Sequence, residues 1–148
     1  MDLQTLLDER AIYLQICALA DAMDQRDWEA LDHILTEDAD GDFGTGERIV
    51  GRRGFVALFS HFLGNCGPTQ HLIGNVRVSI DGDTAESRCY IRDMHIGHGA
   101  RAHLFMSSSG EYLDRWQRTA DGWRMTHRTK KTPIITGTLE ALGIGQAE

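Results

Sequence analysis

The chain has 148 residues and a formal net charge of −7, because 22 Asp and Glu outnumber 15 Lys and Arg. Its 41% hydrophobic and 25% charged residues are typical of a globular protein with one buried core, which excludes a natively disordered chain. The acidic balance argues against a nucleic-acid partner. No apolar run approaches the roughly 20 residues of a membrane span, and the N-terminus lacks the pattern of a signal peptide. We therefore expect a cytoplasmic protein.

Helical periodicity dominates the first part of the sequence. Apolar residues from about Thr5 to Asp24 recur at helical spacing and predict a long, well-buried first helix. Asp27 is placed to cap a short second helix over residues 28–34. Residues 39–50 are typical of strand and turn, and a third helix is predicted over residues 52–63.

Alternation with a period of two begins near Gln70 and indicates strands. Val76, Val78 and Ile80 alternate with polar residues until Asp81-Gly82, a pair typical of a hairpin turn. The turn Ala120-Asp121-Gly122 predicts a second hairpin. The predicted strands cover about residues 70–80, 85–95 and 102–118, and a last strand passes through Trp123 and Met125.

The order of the elements, helices first and then a meander of strands, predicts an α+β domain. We expect the N-terminal helices to cover the concave face of a curved antiparallel sheet. A single domain is predicted over residues 1–148, with a core over about 5–135 and a tail over about 136–148. A short helix over residues 139–143 of this tail could cover a pocket or a neighbouring subunit.

Asp24 is the first residue that points to chemistry. At 100° per residue it lies in the same helical sector as Tyr13 and Cys17. A carboxylate buried there needs a histidine, an arginine or a hydroxyl as partner, since an unpaired one is costly. Alternatively the helix has already ended, and Asp24 belongs to a turn.

His71 lies at the start of the first long strand, in the segment Thr69-Gln70-His71. Strict alternation back from Ile80 would place His71 on the face opposite the core. A bulge at Gly74-Asn75 would reverse this, because one inserted residue turns every upstream side chain to the other face.

Asp93 and His95 share the parity of the inward-facing residues of the next strand, which indicates a cavity. The alternative is that the strand leaves the core there and is solvated. Tyr112 and Trp116 share one face with Asp114 and Arg118, and could line the mouth of the same cavity. Equally, Asp114 and Arg118 could form a surface ion pair.

Metal and nucleotide motifs give only weak signals. His95, His98 and His103 lie close in sequence, but no carboxylate follows at the spacing of known zinc or iron sites. The glycine-containing segments match neither a P-loop nor a dinucleotide fingerprint. We expect neither a metal nor a cofactor.

Four segments of the sequence resemble the SnoaL-like superfamily, which includes nuclear transport factor two and scytalone dehydratase. The similarity covers about residues 5–135 and implies a cone-shaped α+β fold. It rests on residues 20–28, 69–74, 110–114 and 121–125, which read ADAMDQRDW, TQHLIG, GEYLD and DGWRM.

Within this superfamily the chain is most similar to the scytalone dehydratase type. The resemblance implies that Asp24 orients His71, that His71 transfers the proton, and that His95 assists at the leaving hydroxyl. One departure is Met23, since dehydratases of this type have a tyrosine directly before the aspartate. Tyr13 or Tyr112 could replace it.

The function expected from these residues is that of a lyase that needs no cofactor, a dehydratase of a carbonyl-activated aromatic, polyketide-like or steroid-like alcohol. An isomerase or cyclase, a non-catalytic binding module and the small subunit of a ring-hydroxylating dioxygenase are the alternatives. Apolar residues on the predicted outer face, Tyr90, Met94 and Ile96, indicate a homodimer or homotrimer. The residues expected to contact a small hydrophobic substrate are Asp93, Tyr13, Tyr112, Phe55, Phe59 and Trp116.

Overall fold

Two α-helices pack on one face of a six-stranded sheet, which confirms the α+β class. The computed structural model describes residues 1–144, so the last four residues of the predicted tail lie outside the described part. The helices are α1 (Leu3–Gln25) and α2 (Gly51–Leu63). The strands are β1 (Leu35–Asp42), β2 (Arg48–Val50), β3 (Cys66–Asp81), β4 (Thr84–Gly97), β5 (Phe105–Thr119) and β6 (Gly122–Gly137). Three 3₁₀ helices cover Glu29–His33, Gly99–Arg101 and Leu139–Leu142.

The sheet has the strand order β2-β1-β6-β5-β4-β3. Strands β3 to β6 form the predicted antiparallel meander. The sheet as a whole is mixed, because β1 pairs in parallel with β6, with Leu35 opposite Met125. This pairing gives backbone partners to the edge that the meander leaves open at β6. Local periodicity does not contain such a pairing between distant segments.

The first half of the chain follows its predicted periodicity. Helix α1 buries the predicted stripe, from Ile12 to Met23, and α2 buries Phe55 and Phe59 against the sheet. The helix predicted over residues 28–34 is a single 3₁₀ helix, in which Asp27 accepts a hydrogen bond from the Ala30 amide at 3.2 Å. Neither α1 nor another helix of residues 1–144 is long and apolar enough to cross a membrane.

A bulge in β3 turns His71 toward the helices. On one side of it Val78 is opposite Ser87, and on the other side His71 is opposite Asp93, with the register shift between Gly74 and Arg77. Asn75 adopts a left-handed conformation there, with φ of 50°. The bulge anticipated at Gly74-Asn75 is therefore confirmed, and His71 shares the inner face of the sheet with buried Asp93.

A second register shift lies in β6, where Arg115 is opposite His127 and Trp116 is opposite Met125. Strand β6 therefore has one extra residue between these two consecutive pairs. The inserted residue changes the alternation of buried positions, so that Met125 is buried before it and Arg128 is buried after it. The sequence alone shows Arg128 only as part of a short basic run.

A buried ion pair joins β5 and β6. The Arg128 guanidinium donates two hydrogen bonds of 2.7 Å to the Asp114 carboxylate, and both side chains are at most 1% exposed. The same guanidinium lies 3.7 Å from the ring centroid of Tyr112. The expected partner Arg118 instead binds Asp8 of α1, at 2.7 and 2.8 Å. The alternative of a surface pair between Asp114 and Arg118 is therefore wrong.

We expect the Asp114→Leu variant to lose about 3–5 kcal/mol of unfolding free energy, because it leaves the Arg128 charge buried without a partner. The Asp114→Leu/Arg128→Met double variant removes both charges and should recover most of this loss. Urea denaturation of the wild type and both variants measures the difference. A single variant within about 1 kcal/mol of the wild type would contradict a dependence of the fold on this pair.

Candidate active site

A His-Asp pair forms where the end of α1 meets β3. Asp24 Oδ1 lies 2.6 Å from His71 Nδ1 and accepts a hydrogen bond of 3.0 Å from the Thr69 hydroxyl. Asp24 Oδ2 accepts a hydrogen bond of 2.9 Å from the His71 backbone amide. Asp24 is thus a residue of α1 that binds β3, and the alternative of a free turn residue is wrong.

The hydrogen bonds of Asp24 fix the tautomer of His71. Burial opposes ionisation of Asp24, but the side-chain and backbone hydrogen bonds from His71 outweigh it and lower the pKa of this carboxyl. An ionised carboxylate only accepts hydrogen bonds, so His71 Nδ1 carries the proton. In the neutral ring, Nε2 is then the basic nitrogen. Among residues 1–144 no group hydrogen-bonds to it.

Arg26 holds the pair in place, a role that the sequence analysis did not assign to it. It ends α1 in a left-handed conformation, with φ of 58°. Its guanidinium donates to the Thr69 hydroxyl at 2.8 Å and to the carbonyl oxygens of Leu63 and Gly67 at 3.1 Å. One side chain therefore joins α1, the end of α2 and the start of β3 around Asp24.

A second polar cluster centres on Asp93, whose side chain is fully buried. Its carboxylate accepts hydrogen bonds from the Ser108 amide at 2.8 Å, from the Ser108 hydroxyl at 2.7 Å and from Lys130 Nζ at 2.9 Å. Asp93 Oδ1 also lies 3.6 Å from His95 Nδ1. Burial opposes ionisation, but the attraction of Lys130 and the hydrogen bonds from Ser108 lower the pKa of Asp93.

His95 completes the polar wall, with its ring centroid 5.5 Å from that of His71. It is 5% exposed, and burial lowers its pKa below the ordinary value, against the opposing attraction of Asp93. His95 is therefore neutral at pH 7. Asp93 and His95 are therefore buried, as the prediction of a cavity requires, and this part of β4 is not solvated.

The two clusters open into one cavity of about 620 Å³ between the helices and the sheet. Of the predicted contacts, Phe59 and Tyr112 line it with His71 and His95. The tail also contributes, because Leu139 and Leu142 of its 3₁₀ helix lie in the wall. The remaining apolar part of the wall is made by Met23, Phe43, Leu58, Phe62, Leu63, Met106 and Ile135.

Asp93, a predicted substrate contact, does not line this cavity, because its fully buried carboxylate is bonded to Ser108 and Lys130. Three further predicted substrate contacts lie elsewhere in the described chain. Tyr13 is 38% exposed on the surface of α1, because the helix turns it away from the sheet. Phe55 is completely buried and packs edge to face against Phe43 and Phe59. Trp116 is buried deeper along β5, where its Nε1 donates to Ser87 Oγ at 2.8 Å. None of the three lines this cavity.

The donor set favours proton transfer over metal binding. His71, Asp93 and His95 offer ligand atoms within 4.8 Å of one another, a combination that can bind transition metals. The Lys130 ammonium, however, lies on the same Asp93 carboxylate and repels a second cation. The other histidines considered for a metal, His98 and His103, are exposed and do not belong to this cluster.

Comparison with known proteins identifies close relatives. Residues 4–129 match the family of SnoaL-like domains. Over 110 residues, 74% of either chain, the sequence is 36% identical to the uncharacterised protein Rv2910c of Mycobacterium tuberculosis. A crystal structure from Novosphingobium aromaticivorans, of a protein provisionally named an aromatic ring hydroxylase, is 31% identical with a TM-score of 0.81. The two chains match over 93% and 97% of their lengths.

A second structure from the same species shares the fold. It is of a protein provisionally named a scytalone dehydratase and is 20% identical, with a TM-score of 0.82 and 97% of each chain covered. At this identity the likeness supports the cone-shaped fold and leaves the reaction open.

We expect the protein to lose stability as the pH falls below about 6.5, the pKa of histidine in an unfolded chain. Because burial lowers the pKa of folded His95, the unfolded chain binds more protons in this range, which favours unfolding. Urea denaturation at about pH 7.5 and pH 5.5 should show a smaller loss for His95→Gln than for the wild type. His127, whose pKa burial also lowers, is present in both proteins and cancels. Equal losses in the two proteins would contradict a neutral, buried His95.

Proposed function

Because the chain belongs to the family of SnoaL-like domains, we propose that it is a lyase that acts without a cofactor. The proposed reaction is the loss of water from an alcohol that a neighbouring carbonyl group activates. The observation that carries the proposal is the 2.6 Å contact between Asp24 and His71 at the wall of a largely apolar cavity.

In this mechanism His71 is the general base. Its neutral Nε2 removes the proton α to the carbonyl, and the C–H electron pair forms the enolate. Asp24 stabilises the imidazolium that results and keeps the ring in position. His71 then returns the proton to the hydroxyl on the β carbon, so water leaves and a conjugated double bond forms. No electrons are gained or lost overall.

His95 and the apolar wall have supporting roles in the proposal. A neutral imidazole close to His71 can hydrogen-bond to the departing hydroxyl. Phe59, Phe62 and Leu142 can contact an aromatic, polyketide-like or steroid-like skeleton. Cavities of about 300–1,000 Å³ bind ligands of that size.

Other functions are compatible with the same fold. An isomerase or cyclase would use His71 to move a proton within its substrate, and a binding module would use the cavity without chemistry. The relative with 31% identity, provisionally named an aromatic ring hydroxylase, favours a second candidate. This candidate is the small subunit of a ring-hydroxylating dioxygenase, which would imply an iron-containing partner. For that candidate neither His71 nor Asp24 need transfer a proton.

We expect His71→Ala to reduce dehydration by about 10²–10⁴-fold, the usual contribution of a general base. Asp24→Asn should also reduce it, because an amide cannot stabilise the imidazolium. The assay follows the ultraviolet absorbance of the enone formed from 4-hydroxy-4-phenylbutan-2-one.

His127 provides a matched control for this experiment. Its Nδ1 lies 2.6 Å from Asp40 Oδ1, the same distance as in the proposed pair, but it does not line the cavity. His127→Ala should therefore retain wild-type turnover. The proposal fails if the wild type converts no β-hydroxy ketone, or if His71→Ala turns over as fast as His127→Ala.

We also propose that the protein is a homodimer or homotrimer that associates through the outer face of the sheet. This face carries a groove of about 890 Å³ with Leu72, Tyr90 and Ile134 exposed by 52–61%. Exposed apolar patches of this kind mark interaction sites.

The cytoplasmic location expected from the sequence stays a prediction.

Light scattering at micromolar concentration should give two or three times the mass of one chain. Replacing Tyr90 with Lys places a charge in the groove and should shift the mass toward the monomer, since burial of an unpaired charge is costly. Leu3→Lys, on the exposed start of α1, is the matched control. A wild-type monomer would disprove the association.

A further inference from the structure

Two cations of β6 face the interior, and their hydrogen bonds differ. Arg128 is 1% exposed, does not line the cavity, and forms two hydrogen bonds with Asp114 while lying over Tyr112. Lys130 lines the cavity with His71 and His95, and its side chain is 17% exposed. Among residues 1–144, its ammonium has one hydrogen-bond partner, Asp93. An ammonium has three donors, so two of them remain for a ligand.

Asp93 fixes the Lys130 ammonium next to the proposed base. The carboxylate is itself held by two donors of Ser108, so it cannot swing away with the lysine. Asp93 is also opposite His71 in the β3–β4 register and lies beside His95. Lys130 Nζ therefore lies 2.9 Å from a carboxylate that has an oxygen within 4.8 Å of a ring nitrogen of each histidine.

The charge of this cluster indicates what kind of oxygen it binds. Lys130 and Asp93 together are neutral, so a substrate carboxylate would find little net positive charge. A ketone oxygen is neutral when it binds and becomes negative only as the enolate forms. A fixed N–H donor then stabilises the transition state more than the ground state, which is the requirement for catalysis.

Resting on the proposed dehydration, we propose that Lys130 donates a hydrogen bond to the carbonyl oxygen and that the substrates are β-hydroxy ketones. As His71 takes the α proton, the C–H pair forms the new C=C bond and the carbonyl π pair moves onto the oxygen beside Lys130. When the C–O bond to the β hydroxyl breaks, the carbonyl reforms and the proton on His71 leaves with the hydroxyl as water. Lys130 keeps its own proton throughout.

Met23 and Tyr112 are the other residues considered for the hydrogen bond to the carbonyl oxygen, and neither is charged. Met23 lines the cavity but has no donor. Tyr112 lines the cavity, but its phenol is neutral and brings no positive charge to an enolate. Of these groups, only the lysine brings a full positive charge to the developing enolate.

The kinetic test compares variants on 4-hydroxy-4-phenylbutan-2-one. Lys130→Met should lower kcat by about 10²–10³-fold, the usual cost of losing an oxyanion donor, with KM changed by less than about threefold. Tyr112→Phe should lose less. Arg53→Met removes an exposed cation from α2 and should match the wild type. Because Lys130→Met leaves Asp93 unpaired, the Lys130→Met/Asp93→Asn double variant, with both charges removed, must show the same loss of kcat.

A binding test uses 4-nitrophenol, whose yellow anion imitates an enolate. The wild type should lower the apparent pKa of the bound phenol, and the Lys130→Met/Asp93→Asn variant should not. An equal pKa in both proteins would overturn the assignment. Binding of 3-phenylpropanoate more tightly than 4-phenylbutan-2-one would overturn the ketone class.

The two tests separate this inference from the proposed function. If His71→Ala loses turnover and Lys130→Met keeps it, Lys130 is not the oxygen-binding residue, and the dehydratase proposal stands. If the wild type has no turnover, the dehydratase proposal fails. The 4-nitrophenol shift then still decides whether Lys130 binds an oxyanion.

Discussion

An extra residue in β3, between Gly74 and Arg77, determines which side of the sheet carries His71. Side chains alternate along a strand, so the whole segment before the bulge depends on it. With His71 on the inner face, its ring meets Asp24 at the end of α1, and Arg26 fastens the same helix end to β3. The register of the β3–β4 hairpin therefore determines the relative positions of helix α1, the His71 ring and the opening of the cavity.

Hydrogen-bonded pairs explain how the interior tolerates so many ionisable groups. Asp24 has His71, Asp93 has Lys130, and Asp114 has Arg128, each at 2.6–2.9 Å. Pairing offsets much of the cost of removing a charge from water, but hydrophobic side chains of similar volume would often be as stable. Stability alone does not account for three such pairs in a chain of 148 residues. In the proposed function the first two pairs act in the cavity, and the third joins β5 to β6.

Local patterns predicted the helices, the two hairpins and the inner face of β4, because each depends on residues a few positions apart. Asp24 was identified for a similar reason, since a carboxylate on a buried sector requires a partner. Its pairing with His71 was instead implied by the resemblance to scytalone dehydratase. Lys130 and Arg128 were missed because the bulge in β6 falls beside Thr126, without a glycine to mark it. The parallel pairing of β1 with β6 joins distant segments, and Tyr13, Phe55 and Trp116 show that sharing a face does not specify which part of that face lines the cavity.

The tail that closes the cavity has a consequence for how the protein matures. Leu139 and Leu142 lie in the same wall as Met23, and β1 must wait for β6 before it gains its parallel partner. During synthesis, a nascent chain that has reached β5 already holds Asp24 and His71, yet it lacks a wall of the cavity and leaves strand edges unpaired. Contacts between such distant segments slow folding and expose edges to other chains. Competence to bind a ligand is therefore expected only after the residues up to Leu142 have left the ribosome.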